Sequence, residues 1–325
     1  MDPLTGLRVV LAPQRADRPL NFEPSVAHDD ARAQCPLDEG REDQTPPEVW
    51  ALRPGGGAAD TPRRLVRAVP NKYPVLVAEA GGLSDPLGSG RGDPDLFASG
   101  VATGAHEVIA HSPEHVVSLG ALGADQLEHV TAAWAARLAA HADAAYVHVM
   151  VNEGAAGGAS LEHSHTQVYA LDFVPASIAR ERERFTAHNT RTTGGCLLCD
   201  LLQEEVKRRE RVVAVDDFGV LTAPFASRSP YELRIVPREH AAGFGEGGEA
   251  VAPLLDEAVR LLTQQLGSPP PLNLWLRTAP RGAEHFHWHI DVLPRLTVLA
   301  GFELGTGVSI NIVPPERAAE ELREG

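Results

Sequence analysis

The sequence predicts an α+β protein made of two duplicated halves, each with mainly antiparallel strands and one long helix packed on them. Three observations predict this class: a nine-residue motif occurs twice, the same helix and strand patterns follow each copy, and a histidine cluster closes each series. The chain of 325 residues also has the length of two domains of about 150 residues each. We place the halves at residues 1–185 and 186–325.

The repeated motif reads EVIAHSPEH at residues 107–115 and ELRIVPREH at residues 232–240, and the two copies align without a gap. A run with apolar residues at helical spacing follows each copy, at 123–142 and at 251–266. These two runs are the predicted long helices.

The same elements then continue in the same order. Strand-like runs lie at 145–151 and 272–278, and histidine clusters follow as HSHTQV at 163–168 and HWHIDV at 287–292. The motif histidine precedes the cluster by 48 residues in the first half and by 47 in the second. With an upstream cysteine element in each half, this order favours an internal duplication over two unrelated α+β lobes.

Composition excludes several classes of function. The 44 acidic and 29 basic residues give a net charge of −15, whereas nucleic-acid and anionic-membrane binders need a broad basic face. Three cysteines are too few for a disulfide scaffold and indicate a reducing compartment. Because the start lacks a secretory signal and no run reaches about 18 uncharged apolar residues, we expect a cytoplasmic protein without a membrane segment.

The second half carries donors for a metal ion. Cys196 and Cys199 supply two soft ligands at short spacing, in a turn that enters a predicted helix. His240 and His287 would complete a closed, structural Cys2His2 zinc site. The alternative is a redox pair, but no thioredoxin-like βαβ pattern adjoins it, so zinc is favoured.

A strand through HFHWHI at residues 285–290 would place its three histidines on one face and its Phe, Trp and Ile on a core face. Imidazoles beside a core are costly unless they are hydrogen-bonded or coordinate a metal. Satisfied core histidines are the alternative interpretation.

The first-half cluster predicts a different chemistry. His163, His165 and Gln167 share one face of a predicted strand, directly after the glycine-rich run at 152–160. Backbone amides of such a loop can approach phosphate oxygens closely. Because histidine has an ordinary pKa near about 6.5, neutral imidazole is abundant at neutral pH and can attack phosphorus.

This signature resembles the active-site motif of galactose-1-phosphate uridylyltransferases, a family of the histidine-triad superfamily. Its residues here are Asn152, Gly158, Ser160, His163, His165 and Gln167. The resemblance covers nearly the whole chain, since DPLTGLRVVLAPQRADRP near the start, PNKYP at 70–74 and GFELGTG at 301–307 also resemble family segments. It implies two histidine-triad-like halves.

The resemblance implies that His165 is the nucleophile, attacking the α-phosphorus of a nucleotide sugar and releasing hexose 1-phosphate. A second hexose 1-phosphate then takes the nucleotidyl group from the histidine, in a ping-pong exchange. Gln167 would hydrogen-bond a non-bridging oxygen, Ser160 would contact the β-phosphate side, and the main-chain carbonyl of His163 would orient the nucleophile.

The resemblance also implies substrate contacts and an assembly. Family members are often homodimers, and their substrates are a nucleotide sugar and a hexose 1-phosphate. The implied contacts are Arg15 and Arg18 for phosphate, Asn71, Lys72 and Tyr73 for the nucleotide, and Phe302 and Glu303 for the hexose, together with Asn152, Gly158 and Ser160 of the signature.

Two departures from the family concern metals. The family's first site uses two cysteines and two histidines, whereas here Cys35, His115 and His163 leave Asp38 as an oxygen ligand for zinc. The alternative is a weak or empty first site. At the second site, one branch of the family uses a glutamate and three histidines, to which Glu181, His287 and His289 would belong.

Another branch, resembling plant ADP-glucose phosphorylase, uses CxxC and two histidines. The CLLC run favours this second arrangement and leaves Glu181 as an acid on a helix surface. The motif set as a whole nevertheless favours exchange of UMP between UDP-glucose and galactose 1-phosphate, with AMP transfer of the ADP-glucose phosphorylase kind as the alternative. A non-enzymatic, zinc-containing nucleotide sensor is disfavoured because it gives HxHxQ no role.

Overall fold

The computed structural model describes residues 2–7, 9–11, 35–78, 101–245 and 247–325, and these form one large sheet with helices on both faces. Every neighbouring pair of strands in the large sheet is antiparallel. A separate parallel pair joins β1 (Val9–Leu11) to β12 (Ser309–Asn311). The strands of the large sheet are β2 (Trp50–Leu52), β3 (Val66–Pro70), β4 (Gly104–Ala110), β5 (Tyr146–Glu153), β6 (His165–Leu171), β7 (Val212–Val215), β8 (Gly219–Thr222), β9 (Leu233–Pro237), β10 (Leu272–Arg277) and β11 (His289–Pro294).

The strand order shows the duplication. The first half contributes β2-β3-β4-β6-β5 and the second half contributes β10-β11-β9-β8-β7, so the same internal order runs outward from the middle of the sheet. The halves meet where β5 pairs with β10. The predicted α+β class with mainly antiparallel sheets is therefore confirmed, with the two sheets joined as one.

The helices also follow the predicted pattern. The helices are α1 (Ala124–Ala140), α2 (Gly154–Gly157), α3 (Ala176–Thr192), α4 (Leu197–Arg208), α5 (Ala252–Leu266), α6 (Gly301–Thr306) and α7 (Pro315–Glu324), with 3-10 turns at Glu42–Gln44, Leu119–Ala121 and Gly248–Val251. The two predicted long helices are α1 and α5, and their ends agree with the expected ranges to within two residues. Among the residues that the structure describes, no helix is long and apolar enough to span a bilayer.

One face of the sheet packs on α1 and α5. Apolar residues recur at three- and four-residue spacing on these helices, so that each buries one stripe, including Trp134 on α1 and Leu262 on α5. Valines at alternate positions of β5 face the same core. This core extends through both halves and holds the long helices against the sheet.

The opposite face is covered unequally. Over the strands of the second half, α3 and α4 bury Phe185 and Leu198 against this face, together with Phe286. In the first half, a small cluster that includes Cys35 and Leu37 packs on β3 and β4. The candidate active site lies on this face of the first half.

The strand predicted over HFHWHI begins later than expected. β11 starts at His289, and His285 lies exposed in the preceding turn, so the prediction that His285 shares a face with the other two histidines is wrong. Phe286 and Trp288 are both buried, but in clusters on opposite faces of the sheet. Strict alternation fails here because the residues before His289 are not in the strand.

Candidate active site and metal clusters

His165, the first residue of β6, is held in one orientation by the backbone. Its Nδ1 lies 2.7 Å from the carbonyl oxygen of His163. Because a carbonyl only accepts, Nδ1 carries the proton and Nε2 keeps its lone pair. Burial lowers the pKa of His165 below 6.5, although the bond to the carbonyl acts in the opposite direction. The ring is therefore neutral at neutral pH.

His165 lines a cavity of about 660 Å³ on the first half's face of the sheet. This volume is within the usual range for small-molecule sites, which is about 300–1,000 Å³. Sequence-predicted residues that line it are Ser160, Gln167, Asn71, Lys72 and Tyr73. Further walls that the sequence did not indicate are Pro36, Leu37, Asp43, Gln44, Thr45, Pro46, Val69, Pro70, Val108 and Leu161.

The amide of Gln167 is anchored by an aromatic hydroxyl. Tyr169 Oη donates to Gln167 Oε1 at 2.7 Å, and His106 Nε2 lies 3.1 Å from the same oxygen. His106 and Tyr169 are cross-strand partners and stack with ring centroids 4.1 Å apart. With its oxygen engaged, the amide nitrogen of Gln167 can donate to a ligand in the cavity. Sequence reasoning missed both anchors, although the two-residue period of β6 places Tyr169 on the face of Gln167.

The glycine-rich loop needs its glycines at two positions. A Cβ on Gly157 would lie 2.6 Å from the backbone oxygen of Leu272, and Gly158 has a φ of +82°. Asn273 Nδ2 donates to Gly157 O at 2.6 Å and to Asn152 Oδ1 at 2.7 Å. Asn273, on β10 of the second half, thus ties this loop to Asn152 on β5.

The first candidate metal cluster joins Cys35, Asp38, His115 and His163. Asp38 Oδ1 lies 3.0 Å from Nδ1 of both histidines, and Cys35 Sγ lies 3.8 Å from His163 Nδ1. The second cluster joins Cys196, Cys199, His240 and His287. There, Nδ1 of His287 lies 3.6 Å from one sulfur and 3.4 Å from the other.

Both clusters fit a zinc ion. Within each, the four donor atoms all lie within 4.8 Å of one another. Zinc bonds of about 2.0–2.3 Å in a tetrahedron require ligand atoms roughly 3.3–3.8 Å apart. The sulfur–nitrogen distances above have this size, and sulfur with imidazole nitrogen is the donor set that zinc prefers.

Two protein families match parts of this chain. The family described as "Galactose-1-phosphate uridyl transferase, N-terminal domain" matches residues 1–175, which include the HxHxQ strand and the cavity. The chain belongs to this family. A second profile, "Domain of unknown function (DUF4921)", matches residues 100–324. As a member of the transferase family, the protein is a nucleotidyltransferase.

Individual relatives come from two kinds of enzyme. ADP-glucose phosphorylase of Arabidopsis thaliana is 30% identical over 99% of this chain and 91% of that protein. Galactose-1-phosphate uridylyltransferase of Cryptococcus neoformans is 27% identical over 99% and 88%. The crystal structure of the Arabidopsis phosphorylase with bound ADP-glucose has a TM-score of 0.81, 28% identity, and coverage of 100% and 97%.

Four of the substrate contacts that the resemblance implies are not found among the described residues that line this cavity. Arg15 and Arg18 lie outside the described ranges. Phe302 and Glu303 lie on α6, where the side chain of Phe302 is 49% exposed and the carboxylate of Glu303 accepts from Ala300 N at 3.1 Å. Neither is among the residues described as lining the cavity, and their contact with the hexose stays a prediction.

The prediction that Glu181 lies on a helix surface is wrong. We expected an acid on a helix surface, but its side chain is 1% exposed and its Oε1 lies 3.4 Å from His289 Nε2. Burial raises the pKa of Glu181 to about 7 and lowers the pKa of His289 to about 3. The highly charged run RERER on α3 gave no local signal that one of its acids faces the sheet.

Proposed function

We propose that the protein exchanges UMP between UDP-glucose and galactose 1-phosphate through a covalent uridylyl-histidine at His165. The observation that carries the proposal is the orientation of His165, whose Nδ1 donates to His163 O while the ring lines the cavity. The remaining nitrogen is therefore available to a phosphate ester bound between Ser160 and Gln167.

In the first half-reaction, Nε2 attacks the α-phosphorus and the bond to the bridging oxygen of the β-phosphate breaks. Glucose 1-phosphate leaves with that electron pair. The ring becomes cationic, and the hydrogen bond from Nδ1 to the carbonyl of His163 stabilises this charge. The amide nitrogen of Gln167 donates to a non-bridging oxygen as negative charge builds there.

In the second half-reaction, a phosphate oxygen of galactose 1-phosphate attacks the same phosphorus and the bond to His165 Nε2 breaks. The imidazole returns to its neutral form, which burial favours. Ser160 lies in the cavity wall where it would contact the β-phosphate side. Both half-reactions use one set of residues, as a ping-pong exchange requires.

We propose zinc as the ion of both four-residue clusters. Zinc bound there would act as a structural crosslink between segments that are distant in sequence. In the first cluster, His163 would be a ligand through Nδ1, while its carbonyl orients His165. Metal binding at His163 would therefore hold in place the carbonyl oxygen that accepts the Nδ1 proton of His165.

A second candidate is the transfer of AMP from ADP-glucose. The arrangement of Cys196, Cys199, His240 and His287 favours it, because the branch resembling plant ADP-glucose phosphorylase uses CxxC with two histidines. The 30% identity to the Arabidopsis enzyme supports the same candidate. The two candidates share the nucleophile and differ in the base and in the acceptor, which is galactose 1-phosphate for the first and phosphate for the second.

The test incubates the purified protein with UDP-glucose and with ADP-glucose in separate reactions and measures the intact mass after quenching. We expect a UMP-sized gain with UDP-glucose, lost on adding galactose 1-phosphate. An AMP-sized gain with ADP-glucose alone would replace the first candidate by the second. No gain with either would contradict covalent nucleotidyl transfer. Elemental analysis of the same sample measures zinc per chain.

A further inference from the structure

One imidazole bridges both sequence neighbours of His165. Nδ1 of His111 lies 2.9 Å from Ser164 Oγ, and its Nε2 lies 2.7 Å from Thr166 Oγ1. The His111 backbone also donates to Ser164 O at 3.2 Å. His111 and Thr166 are fully buried and Ser164 is nearly so. The side chain of Thr166, the second residue of β6, leaves the strand on the face opposite to His165.

Further hydrogen bonds extend this bridge at both ends. Trp134 Nε1 donates to Thr166 Oγ1 at 2.7 Å. At the other end, Ser164 Oγ donates to Glu153 Oε1 at 3.2 Å. Glu153 is the last residue of β5 and directly precedes the glycine-rich loop. The chain thus connects helix α1, the nucleophile strand and the start of the phosphate loop.

Only one proton arrangement uses every donor in this chain. An indole N–H only donates, so Thr166 accepts from Trp134 and its own hydroxyl proton turns to His111 Nε2. His111 then carries its proton on Nδ1 and donates to Ser164, which in turn donates to Glu153. Burial lowers the pKa of His111 well below 6.5, in agreement with a neutral ring that accepts at one nitrogen.

The second half provides an internal control. Strand pairing defines the counterparts, because Ile109 pairs with Thr166 in the first half and Ile235 pairs with Ile290 in the second. His111, Ser164 and Thr166 therefore correspond to Pro237, Trp288 and Ile290. Pro237 is buried, and Trp288 and Ile290 lie in the apolar core. The duplicated fold is therefore built equally well with apolar residues at these positions, which carry no desolvation cost. The polar set occurs beside the histidine that faces the cavity.

We propose that His111 is a positioning residue for His165, holding the strand on both sides of the nucleophile and tying it through Glu153 to the glycine-rich loop. This inference rests on the proposed nucleotidyl transfer. His111 touches neither substrate nor the reacting atoms, so its effect is on geometry. Attack on phosphorus requires the imidazole nitrogen in line with the leaving oxygen, and small displacements of such a group are costly.

The test compares His111→Val, which removes both ring nitrogens, with Thr166→Val, which removes the hydroxyl at nearly constant shape. We expect the single-turnover rate of adduct formation to fall by up to about 100-fold in His111→Val. The Kd for UDP or ADP should change by less than a factor of about three, since a displaced nucleophile affects the reacting geometry more than nucleotide binding. His111→Gln, which keeps a donor and an acceptor, should recover part of the rate.

Ile290→Ala is the matched control, because it truncates the second half's counterpart of Thr166 in the same core. It should lower the melting temperature while leaving the adduct rate close to wild type. If Ile290→Ala slows the adduct as much as His111→Val at an equal loss of stability, His111 has only a structural role. Equal rates for His111→Val and wild type would overturn the proposal directly.

A second measurement does not depend on the reaction. In protein with ¹⁵N-labelled histidine, NMR should show His111 protonated on Nδ1 and His165 in a single tautomer. The His165 signal should be perturbed in His111→Val and unaffected in Ile290→Ala. If no nucleotide sugar labels wild type, the proposed function fails while these spectra still judge the positioning role. An unchanged His165 signal in His111→Val would reject it.

Discussion

His165 and His289 occupy equivalent positions in the two copies of the histidine motif, but their surroundings differ. Both rings direct Nδ1 to the carbonyl oxygen two residues earlier, at 2.7 Å for His165 and 3.1 Å for His289. His165 lines the cavity, whereas Nε2 of His289 lies 3.4 Å from Glu181 on the covering helix α3. The two halves therefore hold equivalent imidazoles in the same orientation, and the elements packed on the sheet leave His165 beside a cavity and His289 against Glu181.

The residues two positions later show the same divergence. Gln167 faces the cavity with its amide oxygen bonded to Tyr169. Its counterpart, Asp291, is 2% exposed and accepts from Arg234 Nε at 2.7 Å. Nearby arginines hold the pKa of Asp291 far below its ordinary value. A fixed ion pair thus stands where the first half has a neutral amide donor.

The largest expected effect separates these two histidines. His165→Asn should abolish covalent nucleotide labelling, because an amide nitrogen is not a nucleophile at neutral pH, while the fold is retained. His289→Asn is the matched control, and it should keep labelling at a rate near wild type. Intact mass and circular dichroism measure both outcomes. Labelling that survives in His165→Asn would remove the assigned nucleophile.

The two metal clusters differ by one ligand, a thiolate in the second and a carboxylate in the first. Hydrogen bonding from Cys199 lowers the pKa of Cys196, so that the pair offers a thiolate, whereas burial raises the pKa of Cys35 to about 11. Zinc binding to comparable sites provides apparent free energies of about 10–16 kcal/mol, similar to the whole stability of a typical domain.

Cys196→Ser should therefore lower the melting temperature sharply, and Cys35→Ser should lower it less. Calorimetry with and without a zinc chelator measures the difference. The chelator should destabilise Cys35→Ser through the intact second cluster and have a smaller effect on Cys196→Ser. Equal shifts in the two variants would show that a carboxylate serves this protein as well as a second thiolate.

Much of this organisation is readable from sequence because it depends on spacing. The repeated EVIAHSPEH motif, the helical runs and the CxxC pair are local patterns, and the order of strands in the sheet agrees with the repeat. His165 and Gln167 are marked by the same HxHxQ spacing. These features need no knowledge of which surfaces finally meet.

The remaining features depend on contacts between distant segments. Thr45 enters the cavity wall from a 3-10 turn with no motif of its own, and His106 reaches Gln167 only because β4 pairs with β6. Glu181 lies in a run of charges whose buried face is set by the packing of α3 on the sheet. Such positions have no local period from which they could be predicted.

The smallest expected effect concerns Glu181, the residue beside His289, and is a change in the pH dependence of stability. Its pKa of about 7 in the folded protein exceeds the ordinary 4.5, so the folded state holds its proton more tightly and loses stability as pH rises through 7. Between pH 5.5 and 8.0 this single group should cost roughly 2 kcal/mol of unfolding free energy. Glu181→Gln should therefore gain stability relative to wild type at pH 8.0 compared with pH 5.5, measured by denaturant unfolding at both. A pH-independent difference between the two proteins would mean that Glu181 is already ionised in the fold, and that His289 is blocked by a carboxylate and not by a neutral acid.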